Sequence, residues 1–424
     1  MTEDFLHFLW KFQRFELRSL TTTSGEKLEV IAFGQHNRDA GPDFQNARLV
    51  IGGMAWAGNV EMHLKASDWR RHAHTRDAVY DSVILHVVWE NDEDILRADG
   101  TPIPTLEMRH LVSPPLLNHY RQLLQSTSQI ACASQFQEVN DLTRVGMVHR
   151  TAAQRLERKA EFVKILHEQN KQDWEETAYQ LLAHNFGFKI NGEPMLRLSV
   201  RLPFKVLQKH RNNLFQLEAL LLGQSGLQAE TDDEYTTALQ KEYTFLAHKY
   251  GLQGGQLKPQ EWKFLRLRPA NFPTVRLAQL AALIQQQDSL FSLFINVENR
   301  EQIEKALRVK TSDYWQKHYL LGKETEQKVP ALGKSSVENI IINTVAPLLA
   351  TYAEAKDNQD FLDKAVALEE ALPAEQNHIT AHWKDLQLTP RTAYESQGVI
   401  ELYNEFCKPK KCLECSIGAT LLRK

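Results

Sequence analysis

The spacing of apolar residues changes character once, near residue 112, and that change dictates most of what this chain can fold into. Before it, short runs rich in Val, Ile, Leu and Trp occupy 27–33, 47–52, Met54–Lys65, 82–90 and 105–109. Side chains of a strand alternate between faces, so runs of this length bounded by turn residues read as strands. Gly52-Gly53 between the second and third runs predicts a tight hairpin, and Asp99-Gly100 predicts a turn before the last. Ahead of them, Glu3 and Asp4 precede Phe5, Phe8, Leu9 and Phe12. That is an amphipathic helix, since an export signal wants an early positive charge and an unbroken apolar segment. The polar stretch 66–80 predicts a loop with a short helix.

After Pro114 the strand pattern stops. Helical spacing appears over 116–125, 141–169, 174–185, 204–222, 233–250, 274–286, 300–309, 336–355 and 360–372, with Asp141 and Asp360 as start signals and Pro347 as a kink. No fixed repeat period supports a solenoid. The expected fold class is therefore α+β: a small mixed-sheet α/β domain over 1–112, then a larger irregular all-α domain over 113–424. A length of 424 residues exceeds one ordinary core, and 42% apolar with 24% charged residues excludes a disordered or fibrous chain. The longest apolar stretches are short or broken by Asn343 and Pro347, so no membrane span is expected. Four cysteines and no export signal point to a reducing cytoplasm rather than a disulfide framework.

The residues best suited to chemistry lie between Asp43 and His86. Strand alternation puts Glu61, His63 and Lys65 on one face, with Val60, Met62 and Leu64 on the other. Three ionisable side chains in a row on a sheet face call for partners. Asp43 and Glu61 are candidate ligands for Mg²⁺ or Mn²⁺, His63 a ligand or proton carrier, and Lys65 a group to position water. The competing reading is a sheet-face ion pair with Asp43 capping a turn. A third reading uses His63, His72, His74 and His86, with Asp77 and Tyr80 nearby, as a zinc site.

With Pro42-Asp43 ahead of a strand that carries an acid and then Lys65, the first ninety residues resemble the PD-(D/E)XK nuclease superfamily. That resemblance implies a restriction-endonuclease-like sheet and phosphodiester hydrolysis. The chain departs from its pattern at His63, which stands two before Lys65 where an acid is usual, while Glu61 stands four before. Over its whole length the chain is similar to a family of bacterial proteins catalogued only as a domain of unknown function. Gly41-Pro42-Asp43-Phe44, Val60-Glu61-Met62-His63, Ser67-Asp68-Trp69, 268–273 and Cys412-Leu413-x-Cys415 carry that likeness.

Cys407-x4-Cys412-x2-Cys415 is a metal signal lacking a fourth ligand, for which Cys132 is the candidate, with His378 and His382 as alternatives. Zinc or an iron–sulfur cluster would suit it. The formal charge of −3 gives no bulk attraction to nucleic acid, but 197–211 and 262–276 carry cations without acids. Acids gather at 230–234 and 354–375. Arg266, Arg268 and Arg276 are candidate phosphate contacts. The expected function is a divalent-metal-dependent nuclease with nucleic acid as partner. The alternatives are a non-catalytic nucleic-acid or protein-binding scaffold and a zinc hydrolase of a small substrate.

Overall fold

The computed structural model describes residues 1–37, 39–228 and 233–423, so most of the acidic stretch at 230–234 lies outside the described residues. The chain is α+β, a mixed sheet followed by a larger helical region. Its internal contacts form two compact units, Met1–Met147 with Leu402–Lys424, and Val148–Glu401.

The first unit opens with α1 (Glu3–Lys11), which buries Phe5, Leu6, Phe8, Leu9 and Trp10. Strands β1 (Leu28–Ala32), β2 (Gln35–His36), β3 (Phe44–Ile51), β4 (Met54–Lys65), β5 (Val83–Glu90) and β6 (Thr105–Glu107) follow. The sheet order is β1-β3-β4-β5-β6, with β2 also pairing β3. Both β1 and β4 run antiparallel to β3. Register Ile51↔Met54 leaves two residues for the turn, and Gly52 (φ 57) and Gly53 (φ 87) supply the positive φ that such a turn needs. Strands β4, β5 and β6 are mutually parallel, so the chain must cross back between β4 and β5. Residues 66–82 make that crossover with α2 (Asp68–Arg71) and two 3₁₀ turns, His74–Arg76 and Ala78–Ser82. Helix α1 packs on β4, and Trp10 donates to the Phe33 carbonyl at 2.9 Å.

Whereas the sequence reading divided the chain at residue 112, the next helix, α3 (Pro114–Gln125), packs with the first unit. Tyr120 stacks on Phe5 at 4.2 Å and its hydroxyl meets Thr2 Oγ1 at 2.8 Å. The segment after 401 joins the same unit through Tyr403, which donates to Gln129 Oε1 at 2.6 Å, and Lys410, which donates to the Leu124 carbonyl at 2.5 Å.

The second unit has its core in helices buried on nearly every side, above all Leu214–Ser225 and Pro273–Gln286. A helix apolar all round belongs in an interior. Three features depart from the sequence expectations. The expected helix 204–222 is two, Phe204–Gln208 and Leu214–Ser225, the second capped by Asn213. Phe188–Arg201 is helical despite Gly192 and Pro194, with a kink at Asn191. A two-stranded hairpin, His318–Leu320 with Lys323–Glu324, lies where no strand was expected, because so few residues show no alternation. Among the described residues no helix is long and apolar enough to cross a membrane.

Candidate metal centre

Register in the sheet assembles the site. Strand β4 carries Glu61, His63 and Lys65 on one face; its parallel pairing sets Glu61 beside His86, His63 beside Val88, and Lys65 beside Glu90. Pairing of Phe44 with Val60 puts Asp43 level with Glu61 on the other side. The crossover then returns over this face and delivers His72 and His74. Its shape comes from Asp68, which accepts from Lys65 N at 3.2 Å and pairs with Arg71 at 3.0 Å. Ser67 is tied to Asp92 by its backbone N–H (2.9 Å) and its hydroxyl (2.7 Å). Ala73 takes the left-handed conformation (φ 61) that turns the chain between the two histidines.

Among the described residues, His63, His72 and His74 form a group of three potential ligands whose donor atoms all lie within 4.8 Å of one another. His63 Nε2 is 3.2 Å from His72 Nδ1. Glu61 Oε1 approaches His74 Nε2 at 3.3 Å and His63 Nε2 at 3.7 Å. Bonds of about 2.0–2.1 Å to a tetrahedral ion set ligand atoms roughly 3.3–3.4 Å apart, close to these separations. His63 and His74 are buried and His72 is exposed, so the group has a solvent-facing side. Behind it, His63 Nδ1 meets His86 Nε2 at 2.9 Å. Tyr80 stacks on His74 at 3.7 Å, and Trp69 stands edge-on to His63, His74 and His86.

Burial and charge keep His63, His74 and His86 neutral. Burial above all, then His86, His74 and His72, hold His63 down to about 2. Burial and then His74 hold His86 at about 3, and burial and then His72 lower His74. Glu61 moves the other way: burial and then the charge of Asp43 push it up to about 9, against the backbone N–H of Asp43. The Glu61 contacts to His63 and His74 are therefore not ion pairs, since both sides are neutral at pH 7. His74 Nε2 is buried without a hydrogen bond, and so is His86 Nδ1. Neutral imidazoles with nitrogens aimed at one another at short range are what a bound dication resolves, and it would also restore the Glu61 carboxylate.

Asp43 and Lys65, expected as ligand and water-positioning group, stand outside the histidine group. The Asp43 carboxylate accepts from Met62 N at 2.9 Å and faces His7 Nε2 at 3.3 Å, while Asp43 N donates to Glu61 Oε2 at 3.2 Å. The His7 contact has ion-pair distance without hydrogen-bond alignment. Burial pulls His7 down, but Asp43 outweighs it and His7 is raised. Lys65 is exposed one pleat beyond His63 and acts electrostatically on Asp92. Sequence reasoning missed His7 and Glu3. Glu3 is raised mainly by burial, and the largest influence opposing this is His72. The polar residue inside the apolar run Phe5-Leu6-His7-Phe8 was the available signal.

The cations of 197–211 are largely occupied by neighbours. Arg197 bonds Glu261, Lys205 pairs with Asp173 at 3.2 Å, and Arg211 bonds Asp288. Of the three candidate phosphate contacts, Arg266 and Arg268 are exposed. Arg276 is not available: it is buried, donates to Asn271 Oδ1 (2.6 Å) and Gln279 Oε1 (2.8 Å), and lies over the Phe188 ring. Trp262, in the same stretch, is buried and donates to the Ser225 carbonyl.

A mixed-sheet unit bearing an imidazole-lined centre, joined in one chain to a larger helical unit, defines an α+β protein. The chain belongs to the family described as Protein of unknown function (DUF2851), whose model matches residues 3–378. That match spans the histidine group and Cys132 and ends before Cys407. Comparison with curated proteins and with solved structures gives no match.

Proposed function

We propose that this chain is a metal-dependent hydrolase whose centre is one zinc-class ion held by His63, His72 and His74. The observation that carries the reading is the convergence of three imidazoles and Glu61 at ligand spacing, with His74 Nε2 buried and unbonded. A dication bound there would supply a water activated near neutral pH. Glu61 either completes the ligand set or takes the water's proton. His86 orients His63 from behind, and exposed His72 borders the side open to substrate. The test is metal content and hydrolysis of phosphoester probes by the parent, His72→Ala and the double variant His72→Ala/His74→Ala. Tight zinc lost from the double variant supports the reading. A parent without bindable zinc, or a double variant that hydrolyses as well as the parent, sinks it.

A second reading, a Mg²⁺- or Mn²⁺-dependent nuclease, is favoured by the adjacency of Asp43 and Glu61 and by the sheet order of three antiparallel strands, a crossover and a parallel strand. The two readings separate at Lys65. Lys65→Ala abolishes cleavage in the nuclease and spares the zinc hydrolase, where Lys65 touches nothing in the centre.

A further inference from the structure

Cys132 is remote in sequence from Cys407, Cys412 and Cys415, and all four belong to the first unit. Cys132 immediately precedes the 3₁₀ turn Ala133–Glu138, and Cys415 caps the start of the terminal helix Ser416–Leu421; these two elements pack together. Cys407 ends the π-helical turn Leu402–Cys407. After it the chain folds back on itself, with Lys410 N donating to the Cys407 carbonyl at 3.1 Å and Lys411 N to the Phe406 carbonyl at 2.8 Å. Lys410 takes the left-handed conformation that this turn requires (φ 57). A Cβ on Gly418 would lie 2.3 Å from the Cys412 carbonyl oxygen, so the terminal helix sits directly on the turn carrying Cys412. No pair is joined by a disulfide, and Cys132, Cys412 and Cys415 are buried.

The charges agree with this gathering. After burial, Cys415, Cys132 and Cys412 all push the Cys407 thiol up, and Cys415 and Cys412 do the same to Cys132. The thiols do not close into a ligand-spaced group as the histidines do.

From this convergence of Cys132, Cys407, Cys412 and Cys415 we infer that they form a four-thiolate metal centre. Two occupants share that chemistry. Zinc would draw all four sulfurs onto one ion; an iron–sulfur cluster would leave them further apart, because its thiolates bind different irons. Either would bind the segment after Leu402 to the sheet unit, and this holds whether or not the histidine centre is catalytic.

The test uses the full chain, purified without oxygen from cells supplied with zinc and iron, in four forms: parent, Cys132→Ser, Cys412→Ser and His72→Ala/His74→Ala. Metal retained by the histidine variant and lost from both cysteine variants is the expected result. Visible absorbance with acid-labile sulfide identifies the cluster, and colourless zinc identifies the single ion. Because a cysteine variant can fail to fold, X-ray absorption on the histidine variant is the second measurement. Sulfur scatterers around the metal support the centre. A histidine variant free of metal, or one whose metal has only nitrogen and oxygen neighbours, overturns it.

Discussion

His63 has an imidazole against each ring nitrogen, His72 on one side and His86 on the other. Since neutral His63 has one N–H, freeing Nε2 for a metal puts the proton on Nδ1, where His86 Nε2 accepts it. His86 is then a positioning residue, and His86→Ala should weaken zinc binding about 10–100-fold while leaving its stoichiometry unchanged. Chelator competition measures this, and unchanged affinity would remove His86 from the centre. The same groups respond to pH in opposite senses in the metal-free protein. His63 and His86, held near 2 and 3 against an ordinary 6.5, contribute stability that is whole above pH 6.5 and lost as pH falls towards 3. Glu61, raised from 4.5 to about 9, keeps a proton that the unfolded chain gives up, so its contribution is whole below pH 4.5 and lost as pH rises to 9. Between 4.5 and 6.5 two histidines oppose one carboxyl, so the joint contribution of these three groups to metal-free stability peaks near pH 6.5. Zinc-loaded protein should hold its Tm further into alkali, because the ion keeps Glu61 ionised; coincident melting profiles would contradict this. At this scale the sequence was legible for Glu61, His63, His72, His74 and His86, because strand alternation and clustering announced them. It misled at Arg276, whose burial depends on partners sixty and more residues away, such as Ser336 and Phe188.

Strand β4 is placed as closely as it is by Gly58. A Cβ there would come within 2.5 Å of both Ile84 Cγ2 and the Ser82 carbonyl, where the crossover rejoins the sheet. Gly58→Ala should therefore force the start of β5 outward and disturb the level at which His86 faces Glu61. The expected result is a lowered Tm together with weakened zinc binding. A variant with both unchanged would mean that the sheet absorbs the methyl group. A different local device operates in the second unit. Pro347 has no N–H to give the Asn343 carbonyl, and the chain there widens into a π turn over Ile341–Val345. Asn185 Nδ2 fills the gap, donating to that carbonyl at 2.8 Å. Asn185→Ala should cost about 1–3 kcal/mol by leaving the carbonyl unpaired, measurable by denaturant titration. The elements of the sheet were readable because turn glycines and alternation coincide. Phe188–Arg201 was not, because Asn191, Gly192 and Pro194 read as breakers while tertiary packing of Met195 and Leu198 holds the helix.

At the scale of the molecule, the change of patterning at residue 112 marks where strands end, and it is not where the first unit ends. That unit takes α3 and residues after 401 as well, through contacts such as Tyr120 on Phe5 that no local pattern announces. Residues 148–401 should fold on their own with cooperative helical melting. Residues 1–147 alone should expose apolar surface until a fragment covering 402–424 is supplied, which dye binding with and without that fragment measures. A soluble, cooperative 1–147 fragment would refute the assignment.

Such a unit has an awkward birth. Its two portions are separated by roughly 250 residues of the other unit, so on a ribosome adding about 5–20 residues per second the earlier portion waits roughly 10–50 s for its complement. Through that interval Cys132 is made and its three companions are not. The nascent sheet unit is therefore most exposed to misassembly and to oxidation of an isolated thiol midway through synthesis. Slowing translation within 148–401 should lengthen that exposure without changing a single residue of the finished protein.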